Sequence, residues 1–289
     1  MQIPVTPPNA EQLLSALLSD DKNKAFRLYT DSSITDSRGR YLHWEKMRFL
    51  DPPEGLTREL WWTGMKWARK AVYKQLPFRD QNGSAFKFVM LDSFQRELHW
   101  LDQNAAGTLT ASHPILNVQM KNTYLISSLQ EEAITSSQLE GAATTRDVAK
   151  KMLREQRQPR DRSEMMIYNN YKAMNFVKRN VKEQLAVELI NEIHRILTAG
   201  TLDDPQKAGV FRAASDRIQI VAESREVVYT PPESSEVQRW MNSLCQFANS
   251  FDEYFIHPVI KAIILHYVLS CLHPYVEGNG RAARALLSW

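Results

Sequence analysis

The stretch His273–Arg284, HPYVEGNGRAAR, decides the fold that this sequence predicts. Pro274 disfavours helical backbone at the residue before it, so the apolar helix predicted just upstream should end where the stretch begins. The segment Gly278-Asn279-Gly280 can adopt positive φ, so successive backbone N–H groups can converge on an anion. A helix that starts directly afterwards adds its free N-terminal N–H groups and the positive end of its dipole. The sequence therefore predicts a helix–loop–helix unit with an anion-binding loop.

Four titratable or charged side chains flank this loop. Arg281 and Arg284 are three residues apart on the second helix, so they share a face that suits a polyphosphate. Glu277 offers hard carboxylate oxygens, which suit Mg²⁺ held between protein and phosphates. His273 is a titratable base at the mouth of the loop. Each feature alone is more often a turn, a cap or a solvated face, but their occurrence together in this order favours a functional site.

The stretch resembles the Fic motif, H-x-F-x-[D/E]-G-N-G-R-x-x-R, of enzymes that transfer AMP from ATP to protein hydroxyl groups. Every defining position matches except the third, where Tyr275 stands in place of Phe. In the family this aromatic ring anchors the loop in the core, and a tyrosine can do the same if its hydroxyl finds a partner. The resemblance implies a mainly α protein: a Fic-type helical bundle with a small β-hairpin flap and an N-terminal mixed extension.

The resemblance also implies a role for each residue of the motif. His273 would take the proton from the target hydroxyl, and Glu277 would hold Mg²⁺ that bridges the α- and β-phosphates. Gly278-Asn279-Gly280 would cradle phosphate oxygens, and the asparagine would also do so through its side chain. Arg281 would neutralise the leaving pyrophosphate, and Arg284 would hold the γ-phosphate.

A second resemblance lies upstream, in the stretch SSQLEG that begins at Ser136. It fits the family's inhibitory motif, [S/T]-x-x-x-E-[G/N], whose last two positions are Glu140 and Gly141. Residues at spacings of three and four predict a helix over about 124–141, with the glycine as a left-handed cap. A helix before the core resembles the class with an N-terminal inhibitory helix. The glutamate would pair with Arg284 and occupy the place of the ATP γ-phosphate.

A β-hairpin is predicted over residues 217–229, where two short β-branched runs flank a polar turn. Its place resembles the family's flap, which holds a target segment by main-chain pairing. An ordinary surface hairpin is the other interpretation. Gly209-Val210-Phe211-Arg212 resembles the stretch that commonly precedes the flap. The residues expected to form the target-docking flap are Ile218, Ile220, Val227 and Val228.

Composition is ordinary for a globular protein: 289 residues, 43% hydrophobic, with a net charge of +3. It excludes wholesale disorder, and the charge is too mild to indicate nucleic-acid binding. Two cysteines give no disulfide framework, and the N-terminus has no secretory signal. The longest apolar run is too short to span a bilayer. We therefore expect a cytoplasmic protein with no membrane segment.

Pattern breaks predict an N-terminal accessory region over residues 1–110 and a Fic domain over 111–289. The sequence stops inside an apolar helix, so we expect the natural protein to continue beyond Trp289. His194 is predicted to be a packed residue of an apolar helix, and Cys271 an inert buried thiol. Further helices are predicted over residues 10–29, 57–75, 145–156, 163–180, 183–197, 235–249 and 257–272, with a hairpin turn at 80–83.

The implied function is that of a protein adenylyltransferase, which uses ATP and Mg²⁺ to modify a Ser, Thr or Tyr hydroxyl of a target protein. Self-modification is expected, and the inhibitory helix would act within one chain or across a homodimer. Transfer of UMP or phosphocholine, and removal of AMP, are alternatives within the same family.

A non-enzymatic nucleotide- or DNA-binding regulatory module is the alternative of a different class. Its support is the segment Arg146–Arg162, which holds seven basic and three acidic residues. Such a run is more often the solvated face of a helix. Nucleic acid is expected as a partner only if a C-terminal domain beyond Trp289 binds it.

Overall fold

The computed structural model describes residues 5–80, 82–105, 118–221, 224, 226–250 and 255–289, without the side chains of 105 and 118–123. The described residues divide into two compact units. The first unit holds those up to Trp100 and those of the segment 221–228, and the second holds the remainder. The predicted domain boundary at residue 110 lies outside the described residues.

The first unit is helical with one small sheet. The helix predicted over 10–29 is in fact two helices, because Asp21 leaves the helical region at φ −142° and caps the second helix by accepting from the Lys24 N–H. Thr57 caps the next long helix, as predicted, by accepting from the Leu60 N–H at 3.2 Å. The elements are α1 (Ala10–Asp20), α2 (Lys22–Asp31), α3 (Trp44–Met47), α4 (Arg58–Val72), and the antiparallel pair β1 (Lys74–Arg79) and β2 (Ala85–Phe88).

A helix that the sequence analysis does not predict, α5 (Asp92–Ala105), follows this sheet along the chain. The remaining helices confirm the predicted ones, with ends shifted by a few residues. They are α6 (Val118–Leu139), α7 (Arg146–Arg154), α8 (Arg162–Asn180), α9 (Val187–Thr198), α10 (Val237–Asn249), α11 (Pro258–Leu272) and α12 (Asn279–Leu287). The chain is therefore mainly helical, as the sequence predicts.

The predicted hairpin over 217–229 is shorter than expected. Its strands are β3 (Ile220–Val221) and β4 (Val227–Tyr229), which pair with each other. Ile218 lies outside the strand, between β3 and a turn in which Asp216 accepts from the Ala213 N–H at 2.8 Å. The hairpin exists, and its docking role stays a prediction.

One buried cluster of the second unit forms where α6, α7 and α8 meet. Ile134, Ala149, Met152 and Ile167 are each fully buried in one cluster there. Helix α12 packs on α11 and also contacts α9, α8 and α6. The segment 273–284 is therefore surrounded by packed helices, and α6 brings its C-terminal end to the same place.

No helix within the described ranges combines the length and the apolar character needed to cross a membrane.

Shortening a buried side chain of α6 tests how strongly this helix is anchored. Ile134→Ala should lower the free energy of unfolding by about 2–5 kcal/mol, because it leaves a cavity in the core. Ile126→Ala is the matched control on the same helix; Ile126 is 46% exposed and should change stability by no more than about 0.5 kcal/mol. Equal losses in urea unfolding would contradict the packing described for α6.

Candidate active site

Two left-handed residues bracket the loop between α11 and α12. His273 ends α11 at φ 49° and ψ 59°, and its N–H donates to the Leu269 carbonyl at 3.0 Å. Gly278 precedes α12 at φ 83°, and a Cβ there would lie 2.8 Å from Thr198 Cγ2. A side chain at this second position would therefore be strained and would collide with α9. Only glycine suits that position.

The first turn of α12 presents unpaired backbone donors. The first intrahelical bond runs from the Ala282 N–H to the Gly278 carbonyl at 3.0 Å, so helix geometry leaves the three N–H groups before it without a helical acceptor. A Cβ on Gly280 would collide with the carboxylate of Glu140. The carboxylate of a residue that follows α6 therefore lies against the positive end of α12, where an anion is favoured.

The side chain of Asn279 binds the backbone of its own loop. It is 3% exposed, accepts from the Tyr275 N–H at 2.9 Å and donates to the Tyr275 carbonyl at 2.8 Å. Both of its polar atoms are thus engaged within the loop, so the amide braces the loop. One N–H of the side-chain amide and the backbone N–H of Asn279 have no hydrogen-bond partner assigned among the described residues, so the phosphate-binding role of this residue stays a prediction.

Tyr275 anchors the loop in the core, where the family has Phe. It is fully buried, and its hydroxyl donates to Asn191 Oδ1 at 2.8 Å. Its ring stacks on the imidazole of His194, with centroids 3.7 Å apart and planes 8° from parallel. Burial raises the pKa of the phenol, so it stays protonated and able to donate. The tyrosine therefore has the partner that its hydroxyl needs.

His194 is fully buried, as its apolar helix predicts. The Gly209 N–H donates to its Nδ1 at 2.9 Å, so Nε2 carries the proton and donates to the Glu277 carbonyl at 2.8 Å. Burial lowers the pKa of the imidazole to about 4. The neutral ring thus ties α9, the segment before the hairpin and the loop together.

Glu277 is the carboxylate expected to hold a metal. Its side chain is 42% exposed, and its Oε1 lies 3.2 Å from Arg162 Nη2 and 3.9 Å from Arg281 Nη2. No group of three or more His, Cys, Asp or Glu side chains suited to a metal occurs among the described residues. Mg²⁺ commonly binds through one carboxylate together with substrate phosphates. The donor set therefore fits Mg²⁺ that arrives with a polyphosphate.

The two arginines of the motif have different surroundings. Arg281 is 1% exposed, and its Nη1 donates to the Leu197 carbonyl at 2.8 Å, while its buried Nε has no partner among the described residues. Arg284 Nε donates to Ser136 Oγ at 2.7 Å, and Nη2 donates to Glu140 Oε1, also at 2.7 Å. The predicted contact between Glu140 and Arg284 is therefore present, and the serine that opens the upstream motif supports it.

Gly141 takes the left-handed conformation expected of it, at φ 92°. Its N–H donates to the Gln138 carbonyl at 3.0 Å, directly after the end of α6. The turn it makes leaves Glu140 at the end of the helix, 31% exposed and beside α12.

His273, the expected base, is partly buried at the end of α11. Burial is the main cause that lowers the pKa of its imidazole, and the charge of Arg212 lowers it further. A hydrogen bond to the Ser270 carbonyl and the carboxylate of Glu140 act in the opposite direction. The net shift favours the neutral imidazole, which is the form that can accept a proton.

The basic segment 146–162 is largely paired with carboxylates. Arg146 and Lys150 both bind Glu131, and Arg157 binds Glu164 in a partly buried pair. These contacts join α6, α7 and α8 within the second unit. The observation favours a structural role for the segment over nucleic-acid binding. Burial also raises the pKa of the Cys271 thiol, which agrees with an inert packed cysteine.

Residues 184–289 match the model of the Fic/DOC family. The chain carries a Fic/DOC domain. The match begins before α9 and includes the whole loop between α11 and α12, so the braces at His194 and Tyr275 lie inside the Fic domain. Ser136 and Glu140 lie upstream of the matched residues.

Curated relatives include proteins named protein adenylyltransferase Fic. The one from Nematostella vectensis is 25% identical over 200 residues, which are 69% of this chain and 43% of the relative. The one from Aedes aegypti is 31% identical over 117 residues, which are 40% of this chain and 21% of the relative. The chain therefore spans less than half the length of these relatives.

Solved structures of similar fold include a Fic domain containing signaling protein from Bacteroides thetaiotaomicron. Its TM-score is 0.56 at 20% identity, covering 66% of this chain and 69% of that one. Fic-1 from C. elegans has a TM-score of 0.51 at 21% identity, covering 66% of this chain and 54% of that one. At these identities the likeness establishes a shared fold.

The structure brings together most of the predicted site. His273, the segment 277–281, Arg284, Ser136 and Glu140 all belong to the second unit, together with Ile218 and Ile220 of the hairpin. Val227 and Val228 of the hairpin belong to the first unit.

Several contacts of the site were not predicted from the sequence. Asn191 binds Tyr275, Gly209 binds His194, and Arg162 binds Glu277. For the contact of Gly209 with His194, the sequence did offer a signal, namely the stretch Gly209-Val210-Phe211-Arg212 that precedes the hairpin. Its glycine donates to His194, and its arginine lies beside His273.

The buried neutral imidazole of His194 predicts a specific pH dependence of stability. Its folded pKa of about 4 lies below the ordinary 6.5, so between these pH values the unfolded chain binds a proton that the folded chain does not. The stability that this neutral group confers is therefore fully present above pH 6.5. It decreases as the pH falls toward about 4, by up to about 1.4 kcal/mol per pH unit. His194→Gln should be less stable than wild type at neutral pH, and the difference should narrow as pH falls.

Urea unfolding between pH 7.5 and 4.5 measures this difference. His43→Gln, which alters an exposed histidine, is the matched control and should follow wild type. A constant difference between wild type and His194→Gln across the range would contradict the buried neutral state.

Proposed function

We propose that this protein is a Fic-type protein adenylyltransferase that moves AMP from ATP to a Ser, Thr or Tyr hydroxyl of a protein. The observation that carries the proposal is the position of Glu140. An internal carboxylate binds Arg284 at 2.7 Å and lies against the first turn of α12. The same donors would suit a phosphate group, because both ligands are anions with oxygen acceptors. The name shared by the curated relatives, protein adenylyltransferase Fic, supports the adenylyl group as the one transferred.

In the proposed reaction, the target hydroxyl oxygen attacks the α-phosphorus of ATP. The bond from that phosphorus to the bridging oxygen of the β-phosphate breaks, and pyrophosphate leaves with the electron pair. His273 takes the hydroxyl proton, as its neutral imidazole allows. The free N–H groups at the start of α12 and the guanidinium of Arg281 would hold the charge that develops on phosphate oxygens. Arg284 would bind the γ-phosphate.

Mg²⁺ would be held by Glu277 together with phosphate oxygens, and it would neutralise negative charge that builds up as pyrophosphate leaves. Within the chain, His194 Nε2 donates to the Glu277 carbonyl at 2.8 Å, and this hydrogen bond fixes the backbone of that glutamate. Arg162 and Arg281 both approach one carboxylate oxygen, Oε1. The protein thus holds the ligand in place before any cation binds.

Regulation follows from competition for Arg284. While Glu140 binds this arginine, the γ-phosphate cannot, so ATP would bind weakly or with its α-phosphorus misplaced for attack. Ser136 adds two bonds to the same guanidinium, at 2.7 Å and 3.0 Å. The contact would therefore act as an inhibitory lock that a bound polyphosphate must displace.

Removing the inhibitory charge tests the function and the lock together. Glu140→Gly and Glu140→Gln should gain the mass of one adenylyl group when incubated with ATP and Mg²⁺, to a greater extent than wild type. Adding His273→Ala to either variant should abolish the gain, because no base remains to take the proton. Intact-protein mass spectrometry measures the incorporation.

Glu132→Gln is the matched control, since it removes an exposed carboxylate from the same helix. It should label as wild type does. Equal labelling of wild type and the Glu140 variants would refute the lock. Labelling that persists without His273 would refute the assigned base, and labelling by another nucleotide in preference to ATP would refute AMP as the group transferred.

A further inference from the structure

Arg212 lies outside the motif, and its side chain contacts the C-terminal end of α11. It is 7% exposed. Its Nε donates to the His273 carbonyl at 2.8 Å, and its Nη2 donates to the Leu272 carbonyl at 3.4 Å and to the Pro232 carbonyl. Its own backbone N–H donates to the Pro274 carbonyl at 2.9 Å. One residue thus binds three consecutive carbonyls where the helix gives way to the loop.

These carbonyls need a partner from elsewhere in the chain. The last carbonyls of an α-helix have no intrahelical donor, and the negative end of the helix dipole lies there. Pro274 contributes no N–H of its own, and His273 turns the chain out of the helix. Among the described residues, the hydrogen bonds of the Arg212 guanidinium all go to carbonyl oxygens, two of them at this junction and one at Pro232.

The backbone at His273 is also strained. A non-glycine residue at φ 49° is in a sparsely populated region of backbone conformation and persists only where its surroundings hold it. Arg212 binds the carbonyl of this residue and those on either side of it. The direction of the His273 side chain is set by that backbone, so the arginine acts on where the imidazole points.

We propose that Arg212 is a positioning residue for the reaction, holding His273 in its left-handed conformation through its hydrogen bonds to the three carbonyls around that residue. The proposal rests on the adenylyl transfer proposed above. Arg212 touches neither the reacting atoms nor the loop glycines, so its effect is exerted through His273.

The charges around His273 determine the sign of the expected pH effect. Burial and Arg212 lower the pKa of the imidazole, whereas the Ser270 carbonyl and Glu140 raise it. Glu233 and Asp216 are the carboxylates near Arg212, and Asp216 is already paired with Lys207 at 2.8 Å. Loss of the Arg212 charge should therefore raise the His273 pKa. The acid limb of activity would then move to higher pH, since the base must be neutral to act.

Two substitutions separate the charge of Arg212 from its geometry. Arg212→Lys keeps the charge but loses the planar group that binds several carbonyls, and Arg212→Gln loses the charge as well. Arg239→Gln is the matched control, because Arg239 is 70% exposed on α10 and pairs with Glu236. All are made in the whole chain, with and without Glu140→Gln.

The first readout is the NMR titration of the His273 imidazole without nucleotide, assigned by comparison with His273→Gln. Arg212→Gln should raise the midpoint by about half a pH unit or more, and Arg212→Lys and Arg239→Gln should leave it unchanged. An unchanged midpoint in folded Arg212→Gln would contradict the electrostatic effect expected of Arg212 on His273. This readout needs no activity, so it stands or fails separately from the proposed reaction.

The second readout is kcat against pH in the Glu140→Gln background. Arg212→Lys should lower kcat by about 10-fold to 100-fold, because a displaced base loses alignment, with its acid limb unmoved and its KM for ATP unchanged. Full kcat in folded Arg212→Lys would overturn the positioning role. This test remains valid even if Arg212→Gln does not fold. An NMR shift with no AMP transfer by the parent variant would instead refute the proposed function.

Discussion

The site depends on a neutral imidazole that holds three separate backbone segments together. His194 accepts from Gly209, donates to the Glu277 carbonyl and stacks on Tyr275. A charged imidazole could not accept at Nδ1, so the same burial that lowers its pKa also preserves the brace. The left-handed turn at Gly278 and the start of α12 directly follow the Glu277 carbonyl that His194 holds.

Charge balance explains why the site needs an anion. Arg162, Arg281 and Arg284 gather near the positive end of α12, and Glu277 and Glu140 are the carboxylates that face them. Exposed ion pairs contribute only about 0–1 kcal/mol, and the pair between Glu140 and Arg284 is partly exposed. A polyphosphate that offers several charged oxygens can therefore compete with one carboxylate. The arrangement suits a contact that is released on ligand binding rather than a permanent structural bridge.

Much of the fold and site could be predicted because the key residues are close in sequence. The loop from His273 to Arg284 is contiguous, and its glycines and charges indicate an anion site by residue type alone. The contact of Glu140 with Arg284 spans 144 residues, and it was predicted only because a second short motif marks its position.

Other features could not be predicted, for physical reasons. The partners of Tyr275 and Glu277, namely Asn191 and Arg162, come from helices 84 and 115 residues away, and no local pattern encodes such pairings. The two hydrogen bonds between the Asn279 side chain and the backbone of its own loop were not predicted either, because the motif gives residue types and not their contacts. At the N-terminus, Asp21 interrupts one apolar pattern and caps a new helix, which the spacing of apolar residues does not reveal.

The proposed function requires that the start of α12 binds the phosphates of ATP and that Glu140 occupies part of that place. A crystal structure of Glu140→Gln with Mg²⁺ and a non-hydrolysable ATP analogue would test this directly. We expect phosphate oxygens on the N–H groups at the start of α12, the γ-phosphate on Arg284, and the α-phosphorus facing His273. A nucleotide bound elsewhere on the chain, or phosphates that leave Arg284 without a contact, would contradict it.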